Sequence, residues 1–292
     1  MYISVSTTFY PGATIDSLPT DIILLSIEPV VFYVHTARLL SVSGNGFNQL
    51  VSGITSTRRA NDPDPIIPLP ESSAVVNIIL HTVYGMSCTH FAHTFEELSL
   101  AVAALPKYGL SVHTHLAPSA PLASTLLSYA QTSPLDVYTL AASLDVPHLA
   151  SSASPYLLSF ALPNLTDEQA IAMGPIYLKR LVFLHLGRTD ALKRLLLTPP
   201  RPHAPTPQCD NAEQKWVTRA WALASAYLML DARPDMGVET LEAALGPLSE
   251  KVVCEMCKAA LVERVNEVVK QWKNVRVCDF FMFSFGSLFK LT

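Results

Sequence analysis

The residues best suited to chemistry are two cysteines near the carboxyl end of the chain, Cys254 and Cys257. A C-x-x-C spacing occurs both in zinc sites and in thiol redox motifs. A zinc site needs four ligands, and the nearest further candidates, His203 and Cys209, lie in a proline-rich segment without a second paired spacing. A redox motif would follow a strand, whereas residues 247–250 indicate the start of a helix. Because Cys257 falls on the apolar stripe of that helix, the sequence favours core packing, with a zinc-binding domain that uses Cys254 and Cys257 as the alternative.

A second set of possible metal ligands brackets one predicted helix: Cys88, His90, His93, His113 and His115. These side chains could meet only if the loops before and after the helix folded to the same end. Glu96 is the one nearby carboxylate that could orient a ligand histidine. We therefore expect solvent-exposed loop histidines, and the sequence predicts no metal ion and no other cofactor.

The sequence contains no recognisable arrangement of nucleophile and base. His35 is of the residue type most often used as a general base. However, no serine or cysteine lies in an elbow-type turn, and Gly44-x-Gly46 lacks the rest of a phosphate-binding loop. We expect no catalytic or cofactor-binding residues and no enzyme activity. His35 is instead predicted to be a structural, hydrogen-bonded residue where a strand meets a helix.

The composition points to a large core or an interface with another protein. Half of the 292 residues are hydrophobic, 15% are charged, and the net charge is −4. The longest apolar run, residues 220–230, is too short for the roughly 20 residues of a membrane-spanning helix, so no membrane partner is predicted. A negative net charge also argues against direct nucleic-acid binding, which depends on a basic surface. An obligate protein interface is therefore the favoured outlet for the apolar excess.

The amino terminus and the cysteine content indicate a reducing compartment. Residues 1–12 show no basic segment followed by an apolar core, which a secretory signal would need. Five cysteines, an odd number spread thinly, do not suggest a disulfide framework. We therefore expect the protein in the cytoplasm or the nucleus.

The pattern along the chain predicts an α+β fold, with a small sheet covered by helices and then an all-α carboxyl-terminal domain. Residues 1–20 are expected to form a flexible arm. β-Branched and aromatic residues predict strands at residues 21–26 and 30–34, joined by a turn at Glu28 and Pro29. Because these runs are almost continuously apolar, helices should cover the sheet on at least one face.

Start and stop signals place several helices. Residues 70–73 open a helix, and Thr94 with Glu97 forms a capping box before the next one. Further along, a helix that begins at Pro175 is predicted to stop at Gly187. These signals are local, and each predicts an element boundary without reference to the rest of the chain.

The predicted organisation has one sheet-containing domain at residues 21–112, followed by helical segments. Helical regions are expected at residues 122–197 and 211–276, and five prolines make residues 198–210 a linker or long loop. Within the first domain, residues 53–65 form a polar loop that carries the basic pair Arg58–Arg59.

The tail at residues 277–292 does not continue the preceding helical pattern. It holds five phenylalanines and almost no charge, a composition that would be costly to expose to water. Three interpretations stay open: a translated intron in place of the true terminus, a docking tail, or an anchor to a membrane surface.

The order of elements within residues 18–112 resembles the BTB/POZ domain: strand, strand, two helices, strand, two helices. No single residue is specific to that domain, but the combination is moderately specific. The residues that match its pattern are Asp21, Phe32, Tyr33, Val34, His35, Leu39, Leu40, Ser43, Phe47, Leu69, Pro70, Glu71, Val83 and Tyr84. Residues expected to hold this domain together are Ile22, Leu24, Phe32, Val34, Leu39, Leu40 and Phe47.

The whole chain also resembles the fungal, mushroom-type BTB proteins, in which a helical region follows this domain. The resemblance implies a protein-binding protein that forms homodimers through its N-terminal strand and first helix, with a second binding surface on the helical region. Adaptor of a cullin-type ubiquitin ligase is the alternative role, and a transcriptional co-regulator that acts through partners is another. Thr36 stands where the pattern usually has a basic residue, so Arg38 is the nearest base to the expected dimer pocket.

Overall fold

The computed structural model describes residues 3–51, 63–207, 209 and 211–277, and its fold class is α+β as predicted. The predicted basic pair Arg58–Arg59 and the tail after Val277 lie outside the described residues. The chain divides into two compact units, Met1–Leu149 and Ala150–Thr292. The predicted domain limits stay a prediction.

The first unit contains a four-stranded mixed sheet. Its strands are β1 (Ser4–Val5), β2 (Ile22–Leu25), β3 (Val30–Val34) and β4 (Ile66–Pro68), in the spatial order β1-β3-β2-β4. β2 and β3 form the predicted antiparallel hairpin, with Ile22 opposite Val34, and β4 and β1 add parallel partners at either edge. Ile22, Leu24, Phe32 and Val34 are all buried, so the hairpin carries much of the core.

Helices supply the rest of the first unit. They are α1 (Thr36–Val42), α2 (Ser73–Val83), α3 (Phe95–Ala104), α4 (Val112–His115), α5 (Pro121–Ser128) and α6 (Pro134–Ser143), and α7 (Pro147–Ala153) spans the division between the units. α2 begins after Ser72, whose hydroxyl accepts the N–H of Val75. The predicted capping box of Thr94 and Glu97 at α3 is confirmed, with hydrogen bonds in both directions.

The segment before β2 differs from the expected flexible arm. Ser4 and Ser6 donate their N–H groups to the carbonyls of Pro29 and Val31, which makes β1 an edge strand beside β3. Phe9 is fully buried, with its ring centroid 5.3 Å from that of Tyr84. Burial of an aromatic ring stabilises the chain by a few kcal/mol, which offsets the entropy lost when the segment is ordered.

The second unit is helical in the part that the structure describes, apart from short turns and one isolated β-bridge. Its long helices are α8 (Asp167–Leu197), α9 (Asn211–Leu230), α10 (Val238–Leu245) and α11 (Glu255–Asn274). α8 contains a break at Gly174, where φ is +70° and ψ is 166°. The helix resumes at Pro175, as predicted, because proline suits the first position of a helix.

The predicted stop at Gly187 is wrong, since α8 runs through it to Leu197. A glycine inside a helix costs about 1 kcal/mol relative to alanine. That cost is outweighed because Arg188, Leu192 and Leu196, on the turns that follow, are all buried. Packing therefore overrides the local stop signal.

Two arginines hold the ends of these long helices. Arg188 donates to the carbonyls of Val275 and Arg276, directly after α11, and to that of Pro234, between α9 and α10. Arg264 donates to the carbonyls of Leu195 and Thr198, at the end of α8. Carbonyls at a helix end lack partners within the helix, so a guanidinium with several N–H groups is a suitable cap.

Among the helices that the structure describes, none combines the length and the apolar character needed to cross a membrane.

Candidate functional site

The predicted junction residue His35 lies at the N-cap position of α1, directly after β3, and is almost fully buried. Its Nε2 is 2.8 Å from the carbonyl oxygen of Leu18, and its Nδ1 is 2.7 Å from the hydroxyl of Tyr84. Because a carbonyl can only accept, Nε2 carries the proton and Nδ1 accepts from Tyr84. Both ring nitrogens are therefore engaged in structural hydrogen bonds.

Tyr84 and Asp21, which also match the BTB/POZ pattern, complete this junction between β3 and α1. The backbone N–H of His35 donates to the Tyr84 hydroxyl at 3.0 Å, and the N–H of Thr36 donates to Oδ1 of Asp21 at 2.7 Å. Burial raises the pKa of Tyr84 to about 12, so its hydroxyl stays protonated. The first N–H groups of α1 thus obtain acceptors from side chains on other elements.

The described segment after α1 is a left-handed turn and not the second of the two helices that the resemblance predicts after β3. Gly46, Phe47, Asn48 and Gln49 have φ between 54° and 66°, the left-handed region that side chains rarely adopt. Ser43 stabilises the turn, since its hydroxyl accepts the N–H of Phe47 at 2.7 Å and donates to the carbonyl of Tyr108.

Contacts with Tyr108 tie this turn to the rest of the first unit. The rings of Phe47 and Tyr108 stack with centroids 4.5 Å apart. Glu71 accepts the hydroxyl of Tyr108 and the ammonium group of Lys107. Burial is the main cause that raises the pKa of Tyr108, which keeps its hydroxyl a donor. Three residues that match the BTB/POZ pattern, Ser43, Phe47 and Glu71, therefore all contact Tyr108.

Most of the remaining residues that match the BTB/POZ pattern pack in the core of the first unit. Phe32, Val34, Leu39 and Leu69 are buried, and Pro70 follows β4. Leu40 is 36% exposed, which corrects the expectation that it holds the domain together. It differs from Leu39 because adjacent residues of a helix point about 100° apart, and only one of them faces the core.

The second predicted cluster of histidines does not assemble into a metal site. His93 contacts the side chain of Asn77 and lies 3.5 Å from Glu97, and its side chain is largely buried. This differs from the expected solvent-exposed loop, although His90 and His113 are exposed. His81, which the sequence analysis did not single out, is buried and donates from Nδ1 to the carbonyl of Asn77.

The edge of the sheet at β1 is apolar and exposed. Val5, which pairs with Val31 of β3, is 46% exposed, and Ile3, directly before β1, is 66% exposed. At the opposite edge, Ile66 of β4 is 60% exposed. Edge strands present backbone groups and side chains to which another strand can be added. The sequence analysis did not find this edge, because it treated the segment as a flexible arm.

A different set of side chains forms the one group of three or more potential ligands found together in the described part of the chain. His203, Cys209, Cys254 and Cys257 of the second unit offer four ligand atoms, all within 4.8 Å of one another. The Sγ atoms of Cys209 and Cys257 are 3.7 Å apart. Nε2 of His203 is 3.2 Å from Sγ of Cys257 and 3.4 Å from Sγ of Cys254.

The start of α11 positions two of these ligands. Cys254 is its N-cap residue and Cys257 lies in its first turn, so both side chains project from one helix end. The predicted helix start at residues 247–250 is instead a short 3-10 turn, Gly246–Lys251. Backbone N–H groups at the helix start favour a thiolate, and the N–H of Cys257 is the main cause that lowers the pKa of Cys254 to about 7.

The proline-rich segment supplies the other two ligands. Thr206 and Cys209 exchange two backbone hydrogen bonds, which close a tight turn and fix the position of Cys209. Nδ1 of His203 lies 2.7 Å from the carbonyl oxygen of Ala204. Since that carbonyl accepts the Nδ1 proton, the lone pair of Nε2 is directed at the sulfurs.

α9 supports both parts of the cluster through residues that the sequence analysis missed. Glu213 accepts the N–H groups of Val253 and Cys254, each at 3.0 Å. Gln214 donates from its side-chain amide to the carbonyl of His203 at 3.0 Å. No local pattern marks these two residues, because their role follows only from how α9 packs beside α11.

The structure agrees with the preference for core packing, since Cys257 is buried in the hydrophobic core of the second unit, and it also brings three further potential ligands beside Cys257. That preference rested partly on the sequence spacing of His203 and Cys209, which do not form a second C-x-x-C type pair. The fold nevertheless brings both side chains to the start of α11. Burial raises the pKa of Cys257 to about 12 and is the main cause that raises that of Cys209. Several thiols held this close together cannot all ionise unless a cation compensates their charge.

Comparison with other proteins assigns no family. No protein-family model matches the chain, and neither the curated proteins nor the solved structures include a significant match.

Proposed function

We propose that the protein is a protein-interaction module of the BTB/POZ kind, which forms a homodimer through the β1 edge of its first unit. The observation that carries this proposal is the exposure of Val5, on the edge strand β1, and of Ile3, directly before it. The order β2, β3, α1, β4, α2, α3 supports the same proposal, since it matches the order that the resemblance implies except for the second helix after β3, where the described residues form a turn.

The physical argument starts from how edge strands behave in other proteins. An exposed, apolar edge is a template for pairing with another strand, and natural proteins usually protect it with charge, proline or a covering loop. β1 and the isoleucine before it, residues 3–5 (ISV), carry no charge and no proline. A second copy of the chain can pair its own β1 edge with this one, because a two-fold axis places the same surface of both copies face to face. The exposed backbone groups and apolar side chains of each edge then find partners on the other.

The test compares two matched substitutions on opposite edges of the sheet. Ile3→Asp and Ile66→Asp each place one charge at an isoleucine of similar exposure. We expect light scattering at micromolar concentration to give twice the 31.9 kDa chain mass for the natural chain and for Ile66→Asp. Ile3→Asp should weaken association at least about tenfold, because it brings two like charges together across the axis.

Two results would contradict this function. One is the mass of a single chain for the natural protein at micromolar concentration. The other is a dimer that Ile3→Asp leaves unchanged while Ile66→Asp disrupts it, which would move the interface to β4. The roles of cullin adaptor and transcriptional co-regulator stay predictions of the resemblance alone.

A further inference from the structure

We infer that His203, Cys209, Cys254 and Cys257 form a structural zinc site in the second unit. This inference is independent of the proposed dimer, which rests on the first unit. It concerns a site whose four donors come from two segments of the chain, the proline-rich segment and the start of α11.

The distances between the donor atoms suit a tetrahedral zinc ion. With Zn–S bonds of about 2.3 Å and Zn–N bonds of about 2.0 Å, tetrahedral geometry places two sulfurs about 3.8 Å apart and the nitrogen about 3.5 Å from each sulfur. The distance from Cys209 to Cys257 is 3.7 Å, and those from His203 are 3.2 and 3.4 Å. Three of the six distances between donor atoms are thus close to those of a bound tetrahedral ion, and all four donor atoms lie within 4.8 Å of one another.

The chemistry of the donors selects the metal. Three thiolates and one imidazole are soft and borderline ligands, which suit zinc and do not suit magnesium or calcium. Four protein ligands leave no position for water or substrate, so the site is structural and not catalytic. The supporting contacts agree, since the Ala204 carbonyl orients His203 and Glu213 holds the backbone at Cys254.

The consequence for the second unit is a cross-link. The metal would fasten His203 and Cys209 of a segment rich in proline to the first turn of α11. The described residues of that segment make the short bridge from Thr206 to Cys209 and belong to no helix. The fold of this part of the chain should therefore depend on the metal, as in other small sites where binding is coupled to folding.

The experiment measures metals in the full-length chain, purified under reducing conditions with a tag that contains no histidine. We expect elemental analysis to find about one zinc ion per chain. Cys257→Ser and Cys254→Ser should lower the zinc content at least about tenfold. Cys88→Ser, a buried cysteine of the first unit, is the matched control and should retain the full content.

A second measurement keeps the test valid if a variant fails to fold. Cobalt added to the metal-depleted natural chain should give the visible bands of a tetrahedral ion and a thiolate-to-cobalt charge-transfer band. The charge-transfer intensity should fall in Cys254→Ser, which loses one thiolate from the partly exposed side of the cluster. It should be unchanged in Cys88→Ser.

Four outcomes would overturn the inference. The first is a reduced, folded chain that contains no zinc and gives no tetrahedral cobalt spectrum. The second is zinc that survives both cluster variants and is lost in Cys88→Ser. The third is a disulfide between Cys209 and Cys257 in chain purified without reductant, and the fourth is iron or copper in place of zinc. None of these depends on the oligomeric state, so the proposed dimer is tested separately.

Discussion

At the scale of single residues, the junction of β3 and α1 depends on one hydroxyl. The Tyr84 hydroxyl accepts the backbone N–H of His35 and donates to Nδ1 of the same residue. Both groups of His35 are buried, so they cannot turn to water instead. The cost of leaving a buried polar group without a partner is about 1–3 kcal/mol.

We therefore expect Tyr84→Phe to lower the free energy of unfolding of the first unit by about 1–3 kcal/mol. Urea denaturation followed by circular dichroism, together with deuterium exchange in α1, measures the effect. Tyr10→Phe is the matched control, since Tyr10 is exposed and should change stability by less than about 0.5 kcal/mol. Equal stability of the two variants would show that the Tyr84 hydroxyl is not needed.

A second residue-scale prediction concerns His81. Burial is the main cause that lowers the pKa of His81 from its ordinary 6.5, with the nearby His90 and His93 adding to it. The unfolded chain then binds more protons than the folded one as the pH falls below about 6.5. Stability of the first unit should therefore be full above that pH and decline as the pH falls towards the folded pKa.

His81→Gln removes this proton uptake and should flatten the decline in stability between pH 7.5 and pH 5.5, roughly one unit either side of the ordinary histidine pKa. The urea midpoint of the first unit at the two pH values is the measurement. His113→Gln, at an exposed position, should leave the decline as it is in the natural chain. A variant of His81 that declines as steeply as the natural chain would assign the pH dependence to other groups.

At the scale of elements, Arg188 joins the middle of α8 to the end of α11. Its guanidinium accepts no hydrogen bond but donates to three carbonyls, and it lies 4.2 Å from the ring centroid of Trp272. Its side chain is almost fully buried, so the loss of these contacts cannot be compensated by water. The end of α11 should therefore fray when the guanidinium is removed.

Arg188→Met should destabilise the second unit by about 1.5–3 kcal/mol, the range for hydrogen bonds to a charged group. Tryptophan fluorescence during urea unfolding reports on this unit, because all three tryptophans of the chain lie in it. Arg194→Met, on an exposed face of the same helix, is the control and should change stability by less than about 0.5 kcal/mol. Equal losses for both variants would contradict the capping role.

Local signals predicted those elements whose limits depend on a few neighbouring residues. The β2–β3 hairpin, the capping box of Thr94 and the helix that begins at Pro175 are confirmed because strand propensity, capping and proline act within a few positions. The pairing of β1, the left-handed turn at Phe47 and the passage of α8 through Gly187 depend on distant partners. No local pattern encodes those partners.

At the scale of the whole molecule, the two units carry different features. The first unit presents the apolar β1 edge, and the second holds the cluster of three thiols and one imidazole. The sequence contained every ligand of that cluster, but His203 and Cys254 are separated by 51 positions. The packing of α9 beside α11 brings them together, which spacing along the sequence does not show.

The measurement that tests the proposed function most directly is the mass of the natural full-length chain by sedimentation velocity across the micromolar range. We expect a species of twice the 31.9 kDa chain mass that persists on dilution until the dissociation constant is reached. A single species of 31.9 kDa at every concentration would contradict self-association through β1.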